Sequence, residues 1–358
     1  MKIIIASGIY PPDIGGPATY SQLIAREFSK RGINVSVICY SDKKRFLEDG
    51  NERFKIVRIK RNKNTLLRYF IYFLNLLKIS LSANAIYAQG PLSAGLPAMW
   101  VSRILRKKFI VKIVGDYAWE QAVNQFGIND LIDDFQKKSY SSRIEKIRKI
   151  QEKVVKSAER IIVPSEYLKK IVKKWGINEN KIKVIYNAGP DIKEIEKIEP
   201  DENLLSMGDT IISAGRPEPW KGFDTLNEIM PDLLKENPNF KLIIATKMPH
   251  SELMEQFKAS MIFVLNSGYE GLSHIILEAM ACDLPVITTN VCGNPEVVEN
   301  EYNGLLVDYN NKEQLKSAIL KLWRDKNLRN KFIENGKKTL EKFSLEKMIN
   351  KTIEALKL

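Results

Sequence analysis

Only two histidines, His250 and His274, occur in 358 residues, so no histidine-rich metal cluster can be assembled. Cysteine is almost as scarce. Cys39, Cys282 and Cys292 are too few and too scattered for a disulfide framework or a structural zinc site, and a reducing cytoplasm is the natural compartment. No apolar run reaches the roughly 18 residues that a membrane span needs; the longest near miss, Tyr69–Leu77, is closed by Arg68 and Lys78. The opening Met1-Lys2-Ile3-Ile4-Ile5-Ala6-Ser7-Gly8 has too short an apolar run for a signal peptide and reads as a buried strand. Internal repeats and low-complexity tracts are absent as well. What is present is a folding composition, 44% apolar and 28% charged, which excludes disordered and collagen-like chains. At roughly 100–200 residues per domain, the length predicts two domains.

The net charge is +13, which asks for an anionic partner: nucleic acid, an anionic membrane or a phosphorylated small molecule. The excess is uneven. Residues 1–200 hold 37 Lys+Arg against 20 Asp+Glu, a net of +17, and residues 201–358 hold 19 against 23, a net of −4. The basic surface therefore belongs to one half of the molecule.

Short apolar runs at Lys2–Ala6, Asn34–Cys39, Ala85–Ala88, Phe109–Val114, Arg160–Val163 and Lys181–Ile185 read as buried strands. Between several of them, Pro17–Lys30, Pro91–Leu105 and Arg143–Ser157 have helical spacing. This alternation is the signature of a parallel sheet covered by helices on both faces. The polar, acidic stretch Asp191–Asp209, with Pro200 inside it, predicts a linker. The pattern then restarts with Thr210–Ala214, Lys241–Ala245, Met261–Leu265, Pro285–Thr288 and Leu305–Val307. The chain therefore reads as two doubly wound α/β halves, and the cleft between facing halves is the default ligand site of such folds.

Four stretches at predicted strand ends carry chemistry. Gly15-Gly16-Pro17 follows the first strand, where glycines let backbone N–H groups approach a ligand and a helix N-terminus favours negative charge; an ordinary tight turn explains them equally well. Arg216 and Lys221, in Gly215-Arg216-Pro217-Glu218-Pro219-Trp220-Lys221-Gly222-Phe223, suit a diphosphate, Arg as a fork and Lys as a point charge. A solvated surface pair is the plainer explanation. Glu270 lies in Asn266-Ser267-Gly268-Tyr269-Glu270-Gly271-Leu272-Ser273-His274, and Glu278 follows inside an otherwise apolar helical stretch. A carboxylate there is costly to bury unless something binds it, and a sugar hydroxyl is a suitable partner; helix capping by Glu270 and solvent exposure of Glu278 would account for them without a ligand. Glu270–Leu272 also offer backbone N–H groups to a phosphate. Gly293-Asn294-Pro295-Glu296 opens another short helix, with Pro in its first turn.

Taken in order, these stretches resemble the retaining, nucleotide-sugar-dependent glycosyltransferases of family four, which have the GT-B fold of two Rossmann-like domains facing across a cleft. The matching residues are Gly15-Gly16, Pro164-Ser165, Val184-Ile185-Tyr186-Asn187, Gly215-Arg216 with Lys221-Gly222-Phe223, and Glu270-Gly271 with Glu278-Ala279. Pro285-Val286-Ile287-Thr288, Gly293 through Glu296, and Asn303-Gly304-Leu305-Leu306-Val307 follow. The resemblance implies an acceptor-side domain over 1–190 and a donor domain over 205–340, with the helix at 343–358 crossing back onto the first domain. Its donor would be a UDP- or GDP-linked hexose and its acceptor a glycan or lipid-linked sugar, with no metal required, in keeping with the lack of Asp-x-Asp. Arg216 and Lys221 would hold the donor diphosphate, Glu270 would contact the transferred sugar, and Glu278 the nucleotide ribose. Gly15, Gly16, Asn187, Gly271, Leu272 and Ser273 would complete the donor-binding set. The reaction would keep the anomeric configuration, the departing phosphate taking the acceptor's proton. Two departures stand out. Gly115 occupies the position where many relatives carry a histidine, leaving Asp116 as the nearest ionisable group to orient or partly deprotonate an acceptor hydroxyl. Only Lys247–Ser260 separate two strands of the second half, which predicts one crossover helix and a five-stranded sheet.

Residues 53–78 carry Arg53, Lys55, Arg58, Lys60, Arg61, Lys63, Arg68 and Lys78 with no acid, interleaved with leucines and aromatics. This stretch suits an anionic bilayer or, equally, an ordinary helix with its apolar face on the sheet; the resemblance favours peripheral contact with the inner face of a membrane. Nucleic acid fails to account for the Glu270/Glu278 pair, and no zinc, RNP or helix-turn-helix signature accompanies the charge. A sugar-nucleotide 2-epimerase of the same fold is a rival, but such enzymes rely on acid/base residues, including histidines, that a chain with two histidines poorly supplies; an inert nucleotide-sugar-binding relative would fit the missing histidine and the short second domain.

Overall fold

The computed structural model describes residues 1–62, 64–206 and 208–357. Lys63, Met207 and Leu358 lie outside the described residues, Lys63 having been counted in the basic stretch and Leu358 in the last helix. The chain divides into two compact units. The first comprises Met1–Pro164, Leu168–Ile185 and the chain from Ile349 on; the second comprises Ser165–Tyr167 and Tyr186–Met348.

In the first unit, seven parallel strands run in the order β3-β2-β1-β4-β5-β6-β7. They are β1 (Lys2–Ser7), β2 (Asn34–Ser41), β3 (Lys55–Lys60), β4 (Ala85–Gln89), β5 (Lys108–Lys112), β6 (Arg160–Val163) and β7 (Ile182–Val184). The connecting helices are α1 (Gly16–Lys30), α2 (Thr65–Ser80), α3 (Gly95–Leu105), α4 (Tyr117–Phe126), α5 (Ile132–Phe135), α6 (Ser142–Ser157) and α7 (Glu166–Lys174). Helices cover both faces of the central strands, so apolar residues are required at every position there. Ile3, Ile4 and Ile5 of β1 are accordingly all inaccessible.

The second unit holds five parallel strands in the order β12-β11-β10-β8-β9, as the short Lys247–Ser260 gap predicts. They are β8 (Thr210–Ala214), β9 (Lys241–Ala245), β10 (Ile262–Leu265), β11 (Val286–Thr289) and β12 (Leu305–Val307). The remaining helices are α8 (Ile192–Glu196), α9 (Glu202–Leu205), α10 (Phe223–Glu236), α11 (His250–Ala259), α12 (His274–Ala281), α13 (Lys312–Arg324), α14 (Lys326–Leu340) and α15 (Leu345–Leu356). Among the described residues no helix is long and apolar enough to cross a membrane.

Two expectations are corrected. The supposed linker Asp191–Asp209 belongs to the second unit. Ile195 is buried in a cluster with Leu253 and Phe257, and Lys258 donates to the carbonyls of Glu196 and Ile198 at 3.3 and 2.6 Å. The stretch 53–78 is not one amphipathic segment but the edge strand β3 followed by α2. Arg58 of β3 is buried, pairing with Asp49 at 2.6 Å and donating to the Pro11 carbonyl at 2.7 Å. Arg61 pairs with Asp13 and Asp42. Acids from earlier in the chain thus neutralise cations that look unopposed in the linear sequence.

Candidate functional site

In the second unit the loops after β8, β10 and β11 are tied into one frame. The loop after β8 leaves the strand through Gly215, at φ 150°, and a side chain there would meet the Lys221 methylenes and amine at 3.4–3.5 Å. It ends at Gly222, whose left-handed φ of 57° favours glycine. A Cβ at Gly222 would also lie 2.4 Å from Asn266 and 2.7 Å from Asn310. Those two asparagines form a knot: the Asn266 amide donates to the Gly222 carbonyl at 3.0 Å and to Asn310 Oδ1 at 2.8 Å, and Asn310 N–H donates back to Asn266 Oδ1 at 3.0 Å. Gly268 N–H donates to the Trp220 carbonyl at 2.7 Å, and the Trp220 and Tyr269 rings meet edge to face. From the third loop, Gly293 N–H donates to the Glu270 carbonyl at 2.9 Å. A Cβ on Gly293 would stand 2.4 Å from the Gly271 oxygen, so only glycine admits this approach.

Within this frame Lys221 Nζ meets Glu270 Oε1 at 2.5 Å, the two side chains being 12% and 14% exposed. The charge-assisted bond is short, and limited access to water strengthens it. Arg216 extends from the same loop, 78% exposed, with a loose 3.5 Å contact to Glu218. Ser273, at the start of α12, is buried, and among the described residues its hydroxyl has no hydrogen-bond partner, whereas a buried hydroxyl is normally satisfied. Leu272 is buried beside it. Glu278 stands apart from the Lys221–Glu270 pair: its Oε1 meets His250 Nε2, from the first turn of α11, at 3.1 Å. That hydrogen bond raises the imidazole pKa above its ordinary value. Asn187 is buried, and the structure places it in the second unit rather than in the first domain to which the sequence reading assigned it. Glu296, in the Gly293–Glu296 stretch, serves as an acceptor for the backbone N–H groups of Glu166 and Tyr167 at 2.8 and 2.7 Å and for the Tyr186 hydroxyl at 3.0 Å.

In the first unit Gly15 and Gly16 behave differently. Gly15 has φ 151° and sits where a Cβ would press on Ile9 at 3.0 Å; a Cβ on Gly16 would meet nothing within 4 Å. Gly15 serves the backbone turn, and Gly16 leaves space at the start of α1. Asp116, expected to orient an acceptor hydroxyl, is corrected by its surroundings. The residue is fully buried and caps α4, Oδ1 accepting from the N–H groups of Ala118 and Trp119 at 3.0 and 3.1 Å. Gln151 donates to Oδ1 at 2.9 Å and Gln136 to Oδ2 at 2.7 Å. Both carboxylate oxygens are thus taken up by donors of the first unit itself, the arrangement of a buried helix cap rather than of an exposed acid.

The profile for Glycosyltransferase Family 4 matches residues 14–188, and the profile for glycosyl transferases group 1 matches 245–339. The chain is a family-four-type glycosyltransferase with the GT-B fold. An uncharacterised glycosyltransferase of Methanocaldococcus jannaschii is 33% identical over 216 residues, covering 54% of this chain and 58% of that protein. A second one from the same organism is 23% identical over 98% of this chain and 96% of its own. A UDP-Gal:alpha-D-GlcNAc-diphosphoundecaprenol alpha-1,3-galactosyltransferase of Escherichia coli is 37% identical over 26% of this chain and 24% of its own. Among solved structures, HepE of Anabaena in complex with UDP and glucose superposes with a TM-score of 0.77 at 17% identity, over 100% of this chain and 99% of that one.

The asparagine knot and His250 escaped the sequence reading. Asn266 and Asn310 lie 44 residues apart, and His250 and Glu278 lie 28 apart, so no local spacing signals either pairing. Lys112, at the end of β5, is a further surprise for this glycosyltransferase. It is buried, with its amine 3.5 Å from the Tyr20 ring centroid, and burial pushes its pKa well below the ordinary lysine value. The Tyr20 hydroxyl, itself pushed up to about 12 by burial, lies 2.9 Å from that of Tyr87.

Proposed function

We propose that this transferase moves a hexose from a UDP- or GDP-linked donor to a glycan or lipid-linked acceptor, with retention of configuration and without a metal. The observation that carries the reading is the Lys221–Glu270 pair, held at 2.5 Å in a frame of three strand-end loops with the exposed Arg216 beside it. Such loops, beyond the carboxyl ends of parallel strands, are where ligands bind in doubly wound folds.

In this reading Arg216 and Lys221 take the donor diphosphate, and Glu270 keeps Lys221 in place through Oε1 while Oε2 meets a hydroxyl of the sugar. As the bond between the anomeric carbon and the phosphate oxygen breaks, negative charge grows on that oxygen. Two placed cations stabilise it, the part a divalent ion plays in metal-dependent transferases. The acceptor oxygen attacks the anomeric carbon on the face the phosphate leaves, and its proton passes to the departing phosphate. Glu278, with His250, takes the ribose hydroxyls. Ser273 and the backbone of Gly271 and Leu272 complete the phosphate contacts. HepE, solved with UDP and glucose, supports the donor class. The Escherichia coli galactosyltransferase, with its diphosphoundecaprenol acceptor, supports a lipid-linked acceptor, and such an acceptor would bring the enzyme to a membrane surface as a peripheral protein.

A thermal-shift screen of nucleoside diphosphate sugars, followed by product analysis in chelator, tests this reading. A ligand at 100 times its dissociation constant stabilises by about 2.7 kcal/mol, and Arg216→Ala with Lys221→Ala abolishes the shift. Release of UDP or GDP in chelator, with a retained anomer by NMR, is the expected outcome. An inverted anomer, dependence on added metal, or binding without turnover on any acceptor overturns it.

A further inference from the structure

The crossovers from β3 to β4, β4 to β5 and β5 to β6 all step the same way across the sheet, so right-handed connections put α2, α3 and α6 on one face. α2 packs on α3, and α3 on α6. This face carries both exposed apolar side chains and, among the described residues, unpaired charge. Leu66, Phe70 and Leu74 form an exposed stripe along α2 at four-residue spacing, Leu66 being 85% and Phe70 57% exposed. Trp100 and Ile104 are exposed on α3, again four apart. Between α3 and α6 lies a pocket of about 350 Å³ lined by Arg103, Lys149, Glu152, Lys153, Lys156 and Ser157.

Glu152 is the pocket's one carboxylate, and Lys156 pairs with it at 3.1 Å. Among the described residues, Arg103, Lys149 and Lys153 make no ion pair. The Arg103 guanidinium and the Lys153 amine instead flank Trp100, 5.7 and 5.6 Å from its ring centroid. We infer that the α3–α6 pocket binds the phosphate headgroup of an anionic phospholipid while Trp100, Ile104 and the α2 stripe enter the bilayer interface. Surplus cations around a pocket match a phosphate, and a tryptophan ringed by cations suits the headgroup level of a membrane. Exposed leucine and isoleucine side chains beside it match acyl chains and have no counterpart in a nucleic acid, whose binding surfaces use stacking aromatics. The inference deepens the membrane association proposed above and does not depend on the donor chemistry.

Vesicle sedimentation of the full chain tests it, using phosphatidylcholine alone and phosphatidylcholine with phosphatidylglycerol. We expect binding only to the anionic vesicles, weakening as salt rises. Lys149→Glu with Lys153→Glu, and separately Leu66→Ser with Phe70→Ser, should each lose at least about tenfold in affinity. Lys312→Glu with Lys316→Glu, on α13 of the other unit, should bind as the wild type does, and the first two variants should keep the wild-type melting temperature. Equal binding to neutral vesicles, no binding to anionic ones, an equal loss in the α13 variant, or tighter binding to an RNA duplex than to vesicles overturns the inference. Stabilisation by nucleotide in vesicle-free buffer reads the donor site separately, so the failure of one proposal is distinguishable from the failure of the other.

Discussion

Replacing Lys221 by Met keeps the length and apolar stem of the side chain and removes only the charge that Glu270 accepts at 2.5 Å. A hydrogen bond to a charged group is worth about 1.5–3 kcal/mol, and leaving its partner unsatisfied costs on the same scale. The two side chains are 12% and 14% exposed, enough for water to reach the orphaned carboxylate in part, so Lys221→Met should cost about 2 kcal/mol. Glu270→Gln leaves an amide oxygen that still accepts from the ammonium, and should cost about 1 kcal/mol. If the pair is a unit, the double variant costs about 1 kcal/mol less than the sum of the singles, because the second change removes a group already unpaired. Urea unfolding followed by tryptophan fluorescence, fitted with one transition per unit, measures the cycle. Trp220 sits in the same loop frame as the pair and reports on it. Additivity within about 0.3–0.5 kcal/mol would refute the coupling on which the donor-site reading stands.

Four further outcomes follow from the same contacts. Asp116→Ala should destabilise the first unit by about 2–4 kcal/mol, since it removes an N-cap and deprives the buried Gln151 amide of its acceptor; nucleotide affinity should not change, and a selective loss of turnover at unchanged stability would restore a catalytic role. Lys112→Met should remove a pH dependence from the first unit, because burial depresses the lysine pKa. Between that lowered value and the ordinary 10.5 the unfolded chain binds the extra proton, so wild-type stability rises with pH relative to the variant's in parallel urea titrations; a pH-independent difference would contradict this. His250 should titrate above 6.5 by NMR, a raised value that makes its bond to Glu278 fully stabilising below the unfolded pKa and lost as pH rises through the folded one; Glu278→Gln should bring the titration back down, and no movement would mean that the pair does not form. Truncation after Met348 should unfold the first unit at a lower urea concentration than the wild type, since Ile349, Thr352 and Leu356 are buried and Lys108 donates to the Lys357 carbonyl at 3.3 Å; unchanged unfolding would show that the last helix is dispensable.

Much of the architecture is legible in local patterns. Strands buried on both faces must be apolar throughout, so runs such as Lys2–Ala6 and Thr210–Ala214 announce a doubly wound parallel fold, and the short gap before β10 announces five strands. β3 escapes because Lys-Ile-Val-Arg-Ile-Lys is an edge strand whose alternating cations merge with the basic helix after it. Glycine requirements are half visible: Gly222 and Gly293 stand in recognisable stretches, but the atoms that exclude a side chain there come from distant loops.

The chemical inventory of the candidate site, Arg216, Lys221, Glu270, Glu278 and the glycines, is written in the linear order of residues at strand ends, because a parallel sheet delivers every such end to the same edge. Which of them meet is decided only in three dimensions. Lys221 finds Glu270 across 49 residues, Glu278 finds His250 across 28, and Asp116 is claimed by Gln151 across 35. Strand order and crossover handedness set those distances, and neither leaves a period in the sequence. For the same reason Asp116 reads as a free acid until its donors are in place, and the stretch 53–78 reads as unopposed charge until Asp13, Asp42 and Asp49 fold onto it.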